Sequence, residues 1–143
     1  VWDRLDNEAE DWIRKRKFLE DIAKTASNPD PKRTRVTGDG IFAHAPVDLS
    51  LDATGKEFLK IRFGFNNAAW SQGNSTDGAC YEVLAKSDSL WRRCLRPLTN
   101  AKDRGSQEKT IPLPPTVGIL TLRIECGGNC NFDWTSWHAL ILE

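Results

Sequence analysis

Apolar positions recur with two different periods along this chain. In residues 1–26, VWDRLDNEAEDWIRKRKFLEDIAKTA, the positions Leu5, Ala9, Trp12, Ile13, Leu19, Ile22, Ala23 and Ala26 make an imperfect stripe at helical spacing. Asp3 is the candidate N-cap, and Asp6 takes the place that Glu holds in a capping box. Acidic residues crowd the first turns, which suits the positive end of a helix dipole. Arg14-Lys15-Arg16-Lys17 reads as a solvated face, with a membrane-surface or partner-binding helix as the sharper alternative. Pro29 and Pro31 stop the helix and bias Asn28 and Asp30 to extended geometry, so residues 27–37 read as a linker. The expected division is therefore 1–37, helix and linker, and 38–143, a globular β domain.

Beyond Gly40 the period shortens to two. Val47-Asp48-Leu49-Ser50-Leu51 alternates strictly, and Leu59, Ile61, Phe63 and Phe65 share one face of a strand whose other face carries Lys60 and Arg62. Ile119 to Ile124 alternates again, with Leu120, Leu122 and Ile124 inward, and Ser136 to Leu142 is a final apolar strand. Ile119–Leu142 as a whole reads as a closing hairpin. Thr110 to Leu113 is a short edge strand limited by Pro112, after a charged loop from Pro97 to Lys109. Residues 66–79 form a long polar loop with one Trp. Many short strands with turns between them predict an all-β jelly-roll sandwich behind an amphipathic N-terminal helix.

A hairpin centred on Ser87 sets Cys80 opposite Cys94, Glu82 opposite Arg92, Val83 opposite Trp91 and Leu84 opposite Leu90. One register thus accounts for two cysteines and a charge pair. Cys80–Cys94 is the favoured disulfide, and by elimination Cys126 pairs with Cys130 around the Gly-Gly-Asn turn. A zinc site is the competing reading of four cysteines. Their spacings match no finger or ribbon, and only His44 and His138 could add imidazoles. Disulfides point to an extracellular, periplasmic or cell-surface location.

Composition narrows the partners. Lys plus Arg and Asp plus Glu both number 20, which argues against a general nucleic-acid binder. No apolar run approaches the roughly 18 residues that span a bilayer. The chain starts at Val1 and holds no Met, as expected of an excised or processed fragment, from which a targeting segment or anchor could have been cut away. There are six Trp; most are expected to be structural, with one or two displayed for binding.

From Gly40 on, the order of short motifs resembles the NPCBM family, the novel putative carbohydrate-binding module. The matching positions are Gly40, Ile41, His44 and Ala45; then Leu51 to Gly55; then Phe63-Gly64; then Tyr81 to Leu84 and Leu120 to Ile124; and finally Asp133-Trp134 before Leu140. The likeness covers residues 38–142. It implies a galactose-binding-like jelly roll that binds carbohydrate without catalysis. The chain departs from the family in its helix, its four cysteines and the stretch Cys126–Phe132, where the family carries an acidic, glycine-rich segment.

A sugar site needs an aromatic face for the ring and convergent polar groups for its hydroxyls. Asn66, Asn67, Trp70 and Gln72 supply these on the loop after the best strand and are the candidate carbohydrate-binding residues; the same loop could simply cover the sandwich end. Asp133, Trp134, His44 and His138 read as structural, Trp134 buried and Asp133 accepting backbone amides in a turn. No paired carboxylates, nucleophile elbow, H-E-x-x-H or phosphate loop stands out, so no catalytic residue is assigned. No cofactor is expected. Asp39 and Asp77 with nearby carbonyls are the candidate ligands of a structural calcium, although no D-x-D-x-D-G run is present. Two readings follow. One is a non-catalytic module that binds a glycan through loops at one end. The other is an interaction domain whose residues 1–26 dock a partner or a larger parent protein.

Overall fold

The computed structural model describes residues 2–28, 30–71 and 73–143, with side chains described from Glu8 onward. Expectations for the side chains of Asp3, Leu5 and Asp6, for Pro29 and for Gln72 lie outside the described residues.

The protein is an all-β sandwich behind one helix. Helix α1 spans Trp2–Ala23. Nine strands follow: β1 Thr34–Thr37, β2 Gly40–Ala43, β3 Val47–Asp52, β4 Phe58–Phe65, β5 Ala79–Ala85, β6 Asp88–Leu95, β7 Gln107–Pro112, β8 Ile119–Cys126 and β9 Thr135–Leu142. They form a five-stranded sheet ordered β1-β2-β9-β4-β7 and a four-stranded sheet ordered β3-β8-β5-β6. Every pairing is antiparallel.

The alternation seen in the sequence is the alternation of burial. Leu59, Ile61, Phe63 and Phe65 of β4 and Leu120, Leu122 and Ile124 of β8 are buried, and they belong to opposite sheets of one core. Phe63, Tyr81 and Trp137 fill its centre, with Tyr81 at 4.9 Å from Phe63 and 5.1 Å from Trp137 between ring centroids. Gly40 is required by close approach: a Cβ there would overlap the Trp137 carbonyl on β9.

Four expectations need correction. Ile119–Leu142 is not a hairpin, because β8 and β9 lie in different sheets. Each finds its partners elsewhere, β8 between β3 and β5, β9 between β2 and β4. The segment between them crosses the open end of the sandwich. Residues 34–37, expected in a linker, form β1 and pair with β2. β7 begins at Gln107 rather than Thr110, since its backbone can pair with β4 whatever its exposed side chains are. Finally, the Cys80–Cys94, Glu82–Arg92 and Val83–Trp91 register holds, but a bulge after Val83 sets Leu84 opposite Ser89 instead of Leu90. The extra residue lets the chain reverse at Lys86-Ser87, with Lys86 at φ 57°. Arg92 then reaches Glu125 at 4.0 Å.

Among its described side chains, the helix packs on the sandwich through its C-terminal half. Leu19 and Ile22 join the core, while Trp12 and Ile13 are 66% and 58% exposed. α1 lies against β1, β2 and β3, closing the side where the two sheets present edges. Past the helix, Thr25 Oγ1 and Ser27 Oγ accept the backbone N–H groups of Ser50 and Asp48, so this short segment covers the outer edge of β3. No described helix is long and apolar enough to cross a membrane.

Candidate carbohydrate-binding site

Several loops meet at one end of the sandwich: residues 44–46, 66–78, 96–106 and 127–134. Their contacts tie them to one another. The Asn66 N–H donates to the Trp134 carbonyl at 2.7 Å. Thr76 Oγ1 donates to Asp133 Oδ1 at 2.5 Å. The Arg104 guanidinium stacks over the Trp70 ring at 4.6 Å.

The loop 127–134 is held from several directions. Both disulfides are formed as expected, Cys80–Cys94 and Cys126–Cys130. The second closes the base of this loop. Asp77 Oδ2 accepts the Asn129 N–H at 2.6 Å, and Asn129 Oδ1 accepts the Asn131 N–H at 2.9 Å. Gly127 lies so close to the neighbouring loop that a Cβ would sit 2.8 Å from the Gly78 carbonyl oxygen. Phe132 is held at φ 59°, a left-handed conformation costly for an aromatic residue. Its ring meets Trp134 edge-on at 5.4 Å. The consequence is a rigid shelf presenting Asn131, Phe132 and Trp134.

Opposite this shelf stand His44 and Arg33. Together with Cys130 they complete an open cleft lined by Arg33, His44, Cys130, Asn131, Phe132 and Trp134. The His44 N–H of the backbone donates to the Arg33 carbonyl at 2.8 Å, which places the two side chains side by side. His44 Nδ1 lies 2.7 Å from the Ala45 carbonyl. A carbonyl only accepts, so Nδ1 carries the proton and Nε2 is left as an acceptor. Burial lowers the His44 pKa, against the opposing pull of the Ala45 carbonyl hydrogen bond and with a smaller contribution from the Arg33 charge, so the ring is neutral at pH 7. Arg33 Nε is buried with no protein partner, and Nη2 lies 3.2 Å from His44 Nδ1.

Asp133 stands directly behind the shelf and is fully buried. Burial pushes its carboxyl up to about 6, against the opposing pull of the Thr76 hydroxyl. It accepts from a side-chain hydroxyl, not from turn amides as expected, and its Oδ2 has no protein partner. Trp134, expected buried, is half-exposed in the cleft, because the turn at Phe132 swings it toward the end of the sandwich.

The structure brings Asn66, Asn67 and Trp70 to this same end, on the short 3-10 turn Asn67–Ala69 and its flanks. Asn66 Oδ1 caps that turn by accepting the Ala68 N–H at 3.0 Å, whereas Asn67 is exposed. Trp70 is half-buried, one face under Arg104 and its Nε1 without a protein partner. Sequence reasoning did not single out Arg33, Asn131 or Phe132. Arg33 sat among linker residues, and nothing in local spacing signals a left-handed Phe.

His138 is far from the cleft in role: its Nδ1 lies 3.1 Å from Ser106 Oγ. The candidate calcium ligands are engaged within the protein, Asp39 by Lys15 at 3.1 Å and Asp77 by Asn129. Among the described residues, Cys126, Cys130 and Asp133 cluster closely enough to suggest a metal, but both sulfurs are spent in the disulfide.

No protein-family signature matches this chain, and no curated protein does. Solved structures do match in fold. The CBM51 of a Clostridium perfringens GH95 protein, solved with methyl-galactose, is 16% identical; the match covers 73% of this chain and 69% of that one, with a TM-score of 0.57. The CBM51-2 and INT domains of C. perfringens ZmpB, solved with GlcNAc, are 12% identical over 72% of this chain, with a TM-score of 0.59. The tandem CBM51 modules of the Streptococcus pneumoniae Sp3GH98 are 18% identical over 72% of this chain, with a TM-score of 0.58. This chain spans 21% of the ZmpB structure and 31% of the tandem modules. At these identities the likeness establishes the fold: a galactose-binding-like β-sandwich of the kind seen in CBM51 modules.

Proposed function

We propose that this domain is a non-catalytic carbohydrate-binding module of the NPCBM kind, acting outside the cytoplasm. It recognises part of a glycan through the loops at one end of the sandwich. The observation that carries the reading is the meeting of two distant motifs: Ala45 of the His44-Ala45 pair donates its N–H to the Asp133 carbonyl at 3.4 Å, and His44 and Trp134 line one cleft. A partly exposed indole, an amide, a neutral imidazole acceptor and a guanidinium are groups that can hold a sugar ring. Asn67 and Trp70 extend this surface on the adjoining loop, with Asn66 holding that loop in place.

Titration of intrinsic Trp fluorescence with a panel of mono- and oligosaccharides tests the reading. The expected result is a saturable change that Trp134→Ala removes and Trp70→Ala weakens. No response to any glycan, from protein whose unfolding is cooperative, would defeat it.

A second reading is favoured by the exposed Trp12 and Ile13 on α1: the helix docks a neighbouring domain or a protein partner through these residues. Deleting the helix would also remove Leu19 and Ile22 from the core. The cleaner test is therefore Trp12→Ala with Ile13→Ser. Concentration-dependent association lost in that variant would favour docking.

A further inference from the structure

We infer that the glycan taken by the Arg33–His44–Trp134 cleft carries an anionic group, a carboxylate or a sulfate ester, and that Arg33 is the residue that meets it. The inference rests on the carbohydrate-binding reading above and narrows its substrate class.

The argument begins with how this chain treats its other arginines. The partly buried ones among the described residues are Arg16, Arg33, Arg93 and Arg123. Arg16 pairs with Glu20 at 3.2 Å, Arg93 with Asp103 at 3.5 Å and Arg123 with Asp48 at 2.9 Å. Arg33 alone of these has no carboxylate of the described residues within ion-pair distance. A guanidinium taken partly out of water without a counter-charge is costly, and cleft walls strengthen whatever field it projects.

Its donors are also unspent. Nε is buried without a protein partner. Nη2 faces His44 Nδ1 at 3.2 Å, but that nitrogen's proton is committed to the Ala45 carbonyl at 2.7 Å, so no lone pair is offered.

The nearby acid does not answer this charge. Asp133 faces the interior, held by Thr76, and the influences on its ionisation are burial, Thr76 and Asp77, not Arg33. None of the cleft-lining residues is a carboxylate. The cleft is thus cationic while the chain as a whole is neutral. A planar fork with free N–H groups matches a carboxylate or a sulfate and is a poor choice for a hydroxyl alone. Trp134 would take the apolar face of the same residue, and Asn131 and His44 Nε2 its hydroxyls.

Matched glycan pairs test this, measured by titration calorimetry on the whole chain. Polygalacturonate against its methyl ester probes a carboxylate. Chondroitin sulfate against unsulfated chondroitin probes a sulfate. The expected result is that one charged member binds about tenfold or more tighter than its neutral or less charged counterpart. Arg33→Gln should erase that preference, Arg33→Lys should restore only part of it, and added salt should weaken it. A Lys56→Gln, Lys109→Gln control removes exposed charge elsewhere. Should the control lose the preference equally, the attraction is diffuse and the inference fails. Should neutral glycans bind as tightly, in a manner abolished by Trp134→Ala, the inference fails and the carbohydrate reading stands. Absence of binding to every probe defeats both. If Arg33→Gln does not fold, the Arg33→Lys variant and the salt dependence of the wild type decide the question.

Discussion

The Thr76 hydroxyl donates to the Asp133 carboxyl at 2.5 Å in a fully buried contact, joining the loop after β4 to the shelf before β9. This one bond couples the loop that carries Asn66, Asn67 and Trp70 to the cleft that the fold creates. It also makes Asp133 a reporter of how well that end of the sandwich is assembled.

Asp133 should leave a pH signature on stability. Its folded pKa is raised from 3.8 to about 6, chiefly by burial, so between these values the folded state holds a proton that the unfolded state has released. Raising the pH through that window therefore favours unfolding, and the contribution present below pH 4 is gone above about pH 6. His44 and His138 act oppositely, because burial lowers their pKa and their contribution is complete only above 6.5. Asp133→Asn keeps an acceptor for Thr76 but cannot ionise. Denaturant unfolding should show the variant gaining on the wild type between pH 4 and 7, by an amount on the order of 1–3 kcal/mol.

Tyr81 sits between the sheets and ties one to the other. Its hydroxyl donates to the Gly64 carbonyl at 2.7 Å and accepts the Ser136 N–H at 3.1 Å. Both partners lie on strands of the opposite sheet. Tyr81→Phe leaves those groups buried and unpaired, at a cost of about 1–3 kcal/mol. Thermal melts should show a clear fall in Tm with unchanged far-UV circular dichroism.

The disulfides should separate stability from binding. Cys80–Cys94 closes a loop of sequence separation 14, and Cys126–Cys130 one of separation 4. Loop-closure entropy predicts losses of about 3 and about 2 kcal/mol for their paired serine variants. The second pair underlies the Asn131–Trp134 shelf. Cys126→Ser with Cys130→Ser should cost less in Tm and more in glycan affinity than the other pair. A thiol titration of denatured wild-type protein should find no free thiol.

The helix should divide into a structural and a dispensable half. Leu19 is 2% exposed in the core, whereas Trp12 is 66% exposed. Leu19→Ala should cost about 2–5 kcal/mol, and Trp12→Ala should stay within about 0.5 kcal/mol. Equal effects would show that the whole stripe packs.

Local pattern determined the strands and the core of this protein. Period-two burial at Leu59–Phe65 and Leu120–Ile124, the Cys80–Cys94 register and the all-β class follow from side-chain alternation and cross-strand pairing, which act over a few residues. What tertiary structure alone decided is which sheet each strand joins and which loops share an end. Ile119–Cys126 and Thr135–Leu142 pair with distant strands because backbone hydrogen bonding is indifferent to sequence proximity. Arg33, a linker residue by composition, entered the cleft because Thr34–Thr37 found an edge to pair with. Phe132 took a left-handed turn under constraints from Asp77 and a disulfide. Long-range contacts of this kind leave no periodic trace in the chain, so the cleft was assembled by the fold from residues that local reasoning had set apart.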